Sequence, residues 1–241
     1  MKLDILAFGA HPDDVELSAG GTLAKHVEMG YKVGIIDLTP SQMSTRGTVE
    51  NRALEAEEAR KALGVQVREN LGMNDGFLKI DDEHTFQIIR TIRKYKPEII
   101  IANAPEDRHP DHGKAGQLVK EANFLSGLRK VETELDGIKQ EAWRSNTFFQ
   151  YIQFKHLEPD VIIDIRGVAE KKLASLKAYK SQFYDPNSTE PETLISSKGF
   201  FEMINARNAI FGGMSAIFEG EGFISQLKPA VEDLFQLKGK L

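Results

Sequence analysis

The chain has 241 residues, of which 41% are hydrophobic and 28% charged, with a net charge of -5 and no cysteine. That length buries a substantial core, and the composition is that of an ordinary globular protein. It excludes disulfides and thiolate metal ligands, so any metal must be held by nitrogen and oxygen. No basic stripe suits nucleic acid, no apolar run is long enough to cross a bilayer, and Met1-Lys2-Leu3-Asp4 lacks the pattern of a secretory signal. A cytoplasmic protein whose partners are small molecules and copies of itself is expected.

Leu3 to Phe8 is an apolar run suited to a buried strand, ended by Gly9, and Glu16 to Met29 carries apolar residues at helical spacing up to Gly30. Val33 to Leu38 predicts the next strand, Val49 to Leu63 a helix with Gly64 just past its end, and Val67 to Leu71 a third strand. A helix from about Glu83 to Tyr95 precedes Pro97, and the isoleucine-rich Glu98 to Ala102 predicts a fourth strand. After a polar loop, Asp111 to Phe124 reads as a helix. Continuously apolar strands alternating with helical crossovers predict a parallel sheet covered on both faces.

The latter half is less regular. Thr147 to Phe154 and Val161 to Ile165 read as strands, and Val168 to Phe183 and Thr193 to Phe211 as helices. A turn-rich loop, Tyr184 to Glu192, lies between those helices, and the tail is interrupted by Gly212, Gly213, Gly220 and Gly222. No repeat or long linker divides the chain, so one domain over 1–241 is expected, less regular from about 185.

Two clusters, His11-Pro12-Asp13-Asp14 and His109-Pro110-Asp111-His112, follow the first and fourth strands. In an open parallel sheet these loops converge on one crevice. Three imidazoles and three carboxylates suit zinc, and also iron, manganese or cobalt. Spacing alone allows His11, His112 and one aspartate as ligands and leaves open which aspartate ligates and which moves protons. Each proline disfavours helix for the histidine before it. Asp13, Asp14 or Asp111 could instead simply cap a helix, but two such clusters at equivalent strand ends share no purpose as caps. The first loop also argues against a dinucleotide, because its carboxylates repel a pyrophosphate. His26, His84 and His156 have no sequence partners and read as structural or exposed.

Arg52 opens the helix after the second strand and can offer a bidentate fork to a substrate anion, or pair with Glu55 or Glu58. Arg46 can do likewise or pair with Glu50, and Arg108 can meet substrate or pair with Glu106 or Asp107.

Ala10-His11-Pro12-Asp13-Asp14-Val15-Glu16 with Gly20-Gly21, and later His109-Pro110-Asp111-His112, resemble the PIG-L/LmbE-like family of zinc-dependent N-acetylglucosamine deacetylases. Ser44-Thr45-Arg46-Gly47-Thr48, Arg52, Arg68-Glu69-Asn70-Leu71-Gly72 and Asp75-Gly76 are most similar to its bacillithiol-biosynthesis branch. The resemblance implies a Rossmann-like α/β fold, with a mostly parallel sheet and helices on both faces in a three-layer sandwich. It implies one zinc ion per chain, replaceable by other divalent metals, on His11, Asp14 and His112. Asp13 would be the general base, His109 the oxyanion partner and amine acid, and Asp111 the residue orienting His109. Arg52 would face the aglycone, which is malate in that branch, and Tyr184 is placed near the oxyanion by position. Homo-oligomers, commonly hexamers, are implied as well. The rival readings are deacetylation of another N-acetylglucosaminyl conjugate and metal-dependent phosphoester hydrolysis.

Overall fold

The computed structural model describes residues 1–237; residues 238–241, the end of the expected domain, lie outside the described residues. Strand β1, Ile5–Gly9, is buried throughout, and its side chains alternate between two cores. Leu6 and Phe8 join one apolar cluster, while Ile5 and Ala7 join the other. This is the period-two alternation of a strand covered on both faces.

Helix α1, Asp14–Glu28, is followed by β2, Val33–Asp37, then α2, Val49–Leu63, and β3, Val67–Asn70. Helix α3, Asp82–Tyr95, and β4, Ile99–Ala102, lead to α4, Pro110–Ser126. A small hairpin, β5 at Glu134–Leu135 and β6 at Ile138–Lys139, precedes β7, Thr147–Tyr151, and β8, Val161–Asp164. Helices α5, Ala169–Ala178, and α6, Phe200–Met214, then lead to β9, Gly220–Ser225.

The main sheet has seven strands in the order β3-β2-β1-β4-β7-β9-β8. The first five run parallel, with Ile5 opposite both Val33 and Ile99. Strand β9 lies antiparallel between β7 and β8, so the far edge is mixed. This is the expected α/β class with a mostly parallel sheet. The order reverses direction at β1 and β4, and the loops leaving those two strands carry the histidine clusters.

Helices α3 and α4 cover one face through Ile88, Ile92, Leu118 and Val119. Helix α1 covers the other through Val15, Leu23 and Ala24. A third cluster joins Leu17, Ala56, Leu176, Tyr179, Phe200 and Ile204, holding α2, α5 and α6 around the first turn of α1. Helix α1 is wrapped so tightly that a Cβ on Gly21 would come within 2.9 Å of Ile165, and the Gly21 amide donates to Glu221 Oε1 at 2.9 Å. No helix among the described residues is long and apolar enough to cross a membrane.

Candidate active site

The first cluster is shaped by a tight exit from β1. A Cβ on Gly9 would meet His11 O at 3.1 Å and Val15 Cγ2 at 3.2 Å. The chain passes His11 and Pro12 without helix and enters α1 through Asp13, whose φ is +118°. A non-glycine residue held there costs about 1–3 kcal/mol. That geometry brings Asp14 Oδ2 onto the His11 backbone N–H at 2.9 Å. Asp13 is the N-cap residue but makes no side-chain cap, so its carboxylate is left for the cleft.

The second cluster is built by an ordinary helix start. His109 is the extended N-cap of α4, with Pro110 next, and its Nδ1 accepts from the Asp111 backbone N–H at 3.3 Å. A neutral His109 therefore carries its proton on Nε2. The rings of His11, His109 and His112 gather with centroids 4.6, 5.4 and 5.0 Å apart.

Asp14 links the clusters. Its Oδ2 lies 3.5 Å from His11 Nδ1 and its Oδ1 3.2 Å from His112 Nε2. Asn103 Nδ2 and Gln153 Nε2 donate to the same carboxylate at 3.1 and 2.6 Å. The far nitrogens of both rings are held from outside: His11 Nε2 lies 2.9 Å from Asp75 Oδ1, and His112 Nδ1 lies 2.5 Å from Asp107 Oδ2. A carboxylate behind an imidazole fixes its tautomer and raises its basicity, as is usual for metal-ligating histidines.

The electrostatics agree. Burial disfavours charge on His112, but the Asp14 carboxylate and the hydrogen bond that His112 donates to Asp107 raise its pKa to about 9. His11 is raised well above its usual value against burial by hydrogen bonds with Asp111, Asp14 and Asp75. Asp14 is held well below the usual carboxylate range, despite burial, chiefly by the charge of His112 and the hydrogen bond from His11. Such a pocket attracts positive charge, and a divalent cation would replace the imidazolium protons. Metal-sized groupings are present among the described residues: ligand atoms of His11, His109 and His112, and of His11, Asp75 and Asp111, each fall within 4.8 Å of one another. The donor set, nitrogen and carboxylate oxygen without sulfur, fits zinc and its divalent neighbours.

Asp13 stands beside this cluster. Burial raises its pKa to about 7, with Arg52 pulling the other way. Arg52 Nη2 lies 3.2 Å from Asp13 Oδ2, yet no hydrogen bond reaches that oxygen. Arg52 Nε and Nη1 are also buried without partners, and the guanidinium sits 5.5 Å from the Tyr179 ring centre. Beneath it, Arg68 holds Asp37 through two bonds of 2.7 and 2.8 Å and also pairs with Glu16.

The cleft encloses about 310 Å³, and His11, Asp13, Asp14, Arg52, Arg108, His109 and His112 all line it, as does Arg46. Their placements differ in detail from the sequence expectations. The Asp111 carboxylate accepts from the Gly76 and Leu78 backbone N–H groups at 2.6 and 3.3 Å and faces His11; only its own backbone N–H meets His109. Arg46 spends its fork on Ser181 O, Pro191 O and Ser188 Oγ at 2.8, 2.9 and 2.8 Å, strapping the 181–191 segment down. Arg108 pairs with neither Glu106 nor Asp107 and lies over the Phe154 ring at 5.1 Å. Tyr184 is exposed and lies outside the cleft lining. Sequence reasoning missed the roles of Asp75, Asp107, Asn103 and Gln153. The pattern Asp75-Gly76 carried a signal for the first, while the others come from loops whose convergence only the fold supplies.

Residues 6–123 match the family described as PIG-L, GlcNAc-PI de-N-acetylase. The chain is 31% identical over 191 residues to a diacetylchitobiose deacetylase of Thermococcus kodakarensis, covering 74% of this chain and 70% of that one. The chain belongs to the PIG-L/LmbE-like deacetylase family. Within it, a probable N-acetyl-α-D-glucosaminyl L-malate deacetylase 2 of Bacillus cereus is 30% identical, covering 76% of this chain and 84% of that one. A conserved protein of Thermus thermophilus shares the fold with a TM-score of 0.85 and 34% identity, over 95% of this chain and 97% of that one. As a PIG-L-family protein with this His/Asp site, the chain is a metal-dependent amidohydrolase acting on N-acetyl groups.

Proposed function

We propose that the chain removes the acetyl group from N-acetyl-α-D-glucosaminyl L-malate, releasing glucosaminyl malate and acetate, with one zinc ion on His11, Asp14 and His112. The observation that carries the deacetylase reading is Asp13, buried against those residues with Oδ2 free of hydrogen bonds. Bound zinc supplies Lewis acidity, lowering the pKa of a water to about 7 and polarising the acetyl carbonyl.

Asp13 accepts the proton of the attacking water, as a general base within reach of it does. As the water oxygen bonds to the acetyl carbon, the carbonyl oxygen gains charge and His109 Nε2–H faces it. His109 in its protonated form then gives a proton to nitrogen, the C–N bond breaks, amine and acetate leave, and the proton held by Asp13 restores the charge on His109. Burial lowers its pKa, so once protonated it gives the proton up readily. Asp111 serves by holding the Gly76 loop against His11.

The malate assignment is supported by Arg52, whose Nε and Nη1 are buried donors without acceptors on the wall of the cleft. Ser41, Ser44, Thr45 and Thr193 give the same wall the hydroxyls that suit a sugar. Arg108, exposed and lining the same cleft, is a second cation open to substrate. The test is to incubate zinc-loaded protein with N-acetylglucosaminyl malate, N-acetylglucosamine and other acetylated glycosides, measuring free amine and acetate. Preference for the malate conjugate is expected. Equal turnover of all would keep the chemistry and discard malate, and absence of acetate from every one would discard the reading.

A further inference from the structure

A second cavity, of about 240 Å³, opens beside the metal-type site, between the end of β7 and helix α6. Most of its exposed wall is hydrocarbon, from Ile152, Phe200, Met203, Ile204, Ile210 and Phe211, with Arg108 over the Phe154 ring and His156 stacked on Phe211. The charged groups around it are largely engaged. Asp107 holds His112, Lys155 pairs with Glu106, and the Arg207 guanidinium is bonded to the backbone carbonyls of Gln153 and Leu17. Leu17, Arg108, His112, Gln153 and Ile195 line both this cavity and the catalytic cleft, so the two meet at His112.

Gln153 stands at that neck with one face unused. Its Nε2 donates to Asp14 Oδ1 at 2.6 Å, which fixes the amide orientation, and its Oε1 is buried with no partner. A buried acceptor left unpaired is costly, and a bound ligand bearing an N–H would satisfy it.

We infer that this cavity is an acyl pocket, and that the chain hydrolyses N-acyl glucosamines whose acyl chains are longer than acetyl. The inference rests on the deacetylase reading above and extends its substrate class. In a planar trans amide the acyl carbon and the nitrogen substituent point away from each other. With the carbonyl at His11, Asp14 and His112, one end must enter the cleft of serines, threonines and arginines, and the other the hydrocarbon cavity. The sugar matches the first and an alkyl chain the second. The cavity far exceeds the volume of one methyl group. Gln153 Oε1 at the junction accepts the substrate amide N–H. One water is consumed: its oxygen bonds to the acyl carbon, the C–N bond breaks, and the products are a fatty carboxylate and the free amine.

The test compares N-acetyl-, N-butyryl- and N-hexanoylglucosamine as substrates of the zinc-loaded protein, and acetate with hexanoate as ligands by calorimetry. Each buried methylene strengthens binding about fourfold, so hexanoate should bind at least tenfold tighter than acetate, and kcat/KM should rise from acetyl to butyryl. Ala206, exposed on α6, lines the cavity. Ala206→Trp should lower N-hexanoyl turnover at least tenfold more than it lowers N-acetyl turnover. A hundredfold fall from acetyl to butyryl, with hexanoate no tighter than acetate, overturns the acyl pocket and leaves the deacetylase reading standing. Tighter hexanoate binding without hydrolysis of any N-acyl glucosamine overturns the sugar reading instead, while the cavity's preference for alkyl chains stands. An Ala206→Trp variant that slows an aryl glycoside of N-acetylglucosamine, and not the longer acyl groups, would place the aglycone there and overturn the inference.

Discussion

Asp107 Oδ2 lies 2.5 Å from His112 Nδ1, so it is the opposite nitrogen, Nε2, that faces Asp14 at 3.2 Å. The Asp107 carboxylate also receives the backbone N–H groups of Phe154 and Lys155 at 3.2 and 2.8 Å, which ties the imidazole to the end of β7. Asp107→Asn should therefore weaken zinc binding by about 10- to 100-fold. Competition with a chromogenic chelator measures this, and unchanged affinity would show that the His112 ring needs no such anchor.

Asp13→Ala should retain zinc and lose turnover by about 10²- to 10⁴-fold. Metal content by mass spectrometry and acetate release, on the same preparation, separate the two effects. Loss of zinc in parallel with activity would mean that Asp13 and Asp14 have been given each other's roles.

Arg52→Ala should raise KM for the malate conjugate more than for N-acetylglucosamine. Equal losses on both, falling on kcat, would mean that the arginine works through Asp13, 3.2 Å away.

Metal-free protein should lose stability as pH rises from about 4 to about 9. Burial raises Asp13 from 3.8 to about 7, so the folded state holds a proton that the unfolded chain has released, and that contribution fades between those values. His112, raised from 6.5 to about 9, contributes fully below 6.5 and loses its contribution up to about 9. Thermal melts from pH 5 to 9 should decline without metal and flatten when zinc is added. A melting temperature that climbs with pH in the metal-free protein would contradict the assigned shifts.

Arg46→Ala should free the 181–191 strap. Each lost hydrogen bond to a charged donor is worth about 1.5–3 kcal/mol, so cleavage within that segment by a nonspecific protease should quicken at least tenfold. An unchanged cleavage rate would mean that Gln182, which donates to Arg46 O at 2.8 Å, and Ser181, bonded to Glu55, suffice to hold it.

The first half of the fold was readable because each element carries its own punctuation. Helix α2 runs from Val49 to Leu63, as expected, because Thr48 caps its start and Gly64 closes it at a φ of +75°. Helix α1 begins at Asp14 rather than Glu16 because the left-handed Asp13 turns the chain into it sooner. Helix α6 starts at Phe200, not Thr193, since Thr193 and Ser196 close turns on each other with their side chains. Helix α5 ends at Ala178, ahead of the expected Phe183, and the chain turns there into the segment strapped by Arg46.

Strand β9 escaped notice because its glycines answer to tertiary neighbours. A Cβ on Gly222 would meet the Phe211 ring at 3.1 Å, and one on Gly220 would meet Ile162 at 2.6 Å. Its antiparallel course also breaks the alternation that predicted the other strands. The metal-type cluster was legible because both halves are short contiguous motifs. Asp75 and Asp107 were not, because a lone carboxylate in a loop reveals its histidine only after folding.

The backbone at Asp13 ties chemistry to conformation. Its φ of +118° suits glycine and penalises a residue with a Cβ, so the position holds an aspartate where the turn alone would favour none. Asp13→Gly would relax that turn and remove a buried carboxylate in one step, giving an inactive protein that melts higher than the active one without metal. Selection for robustness and selection for turnover thus pull in opposite directions at this single residue.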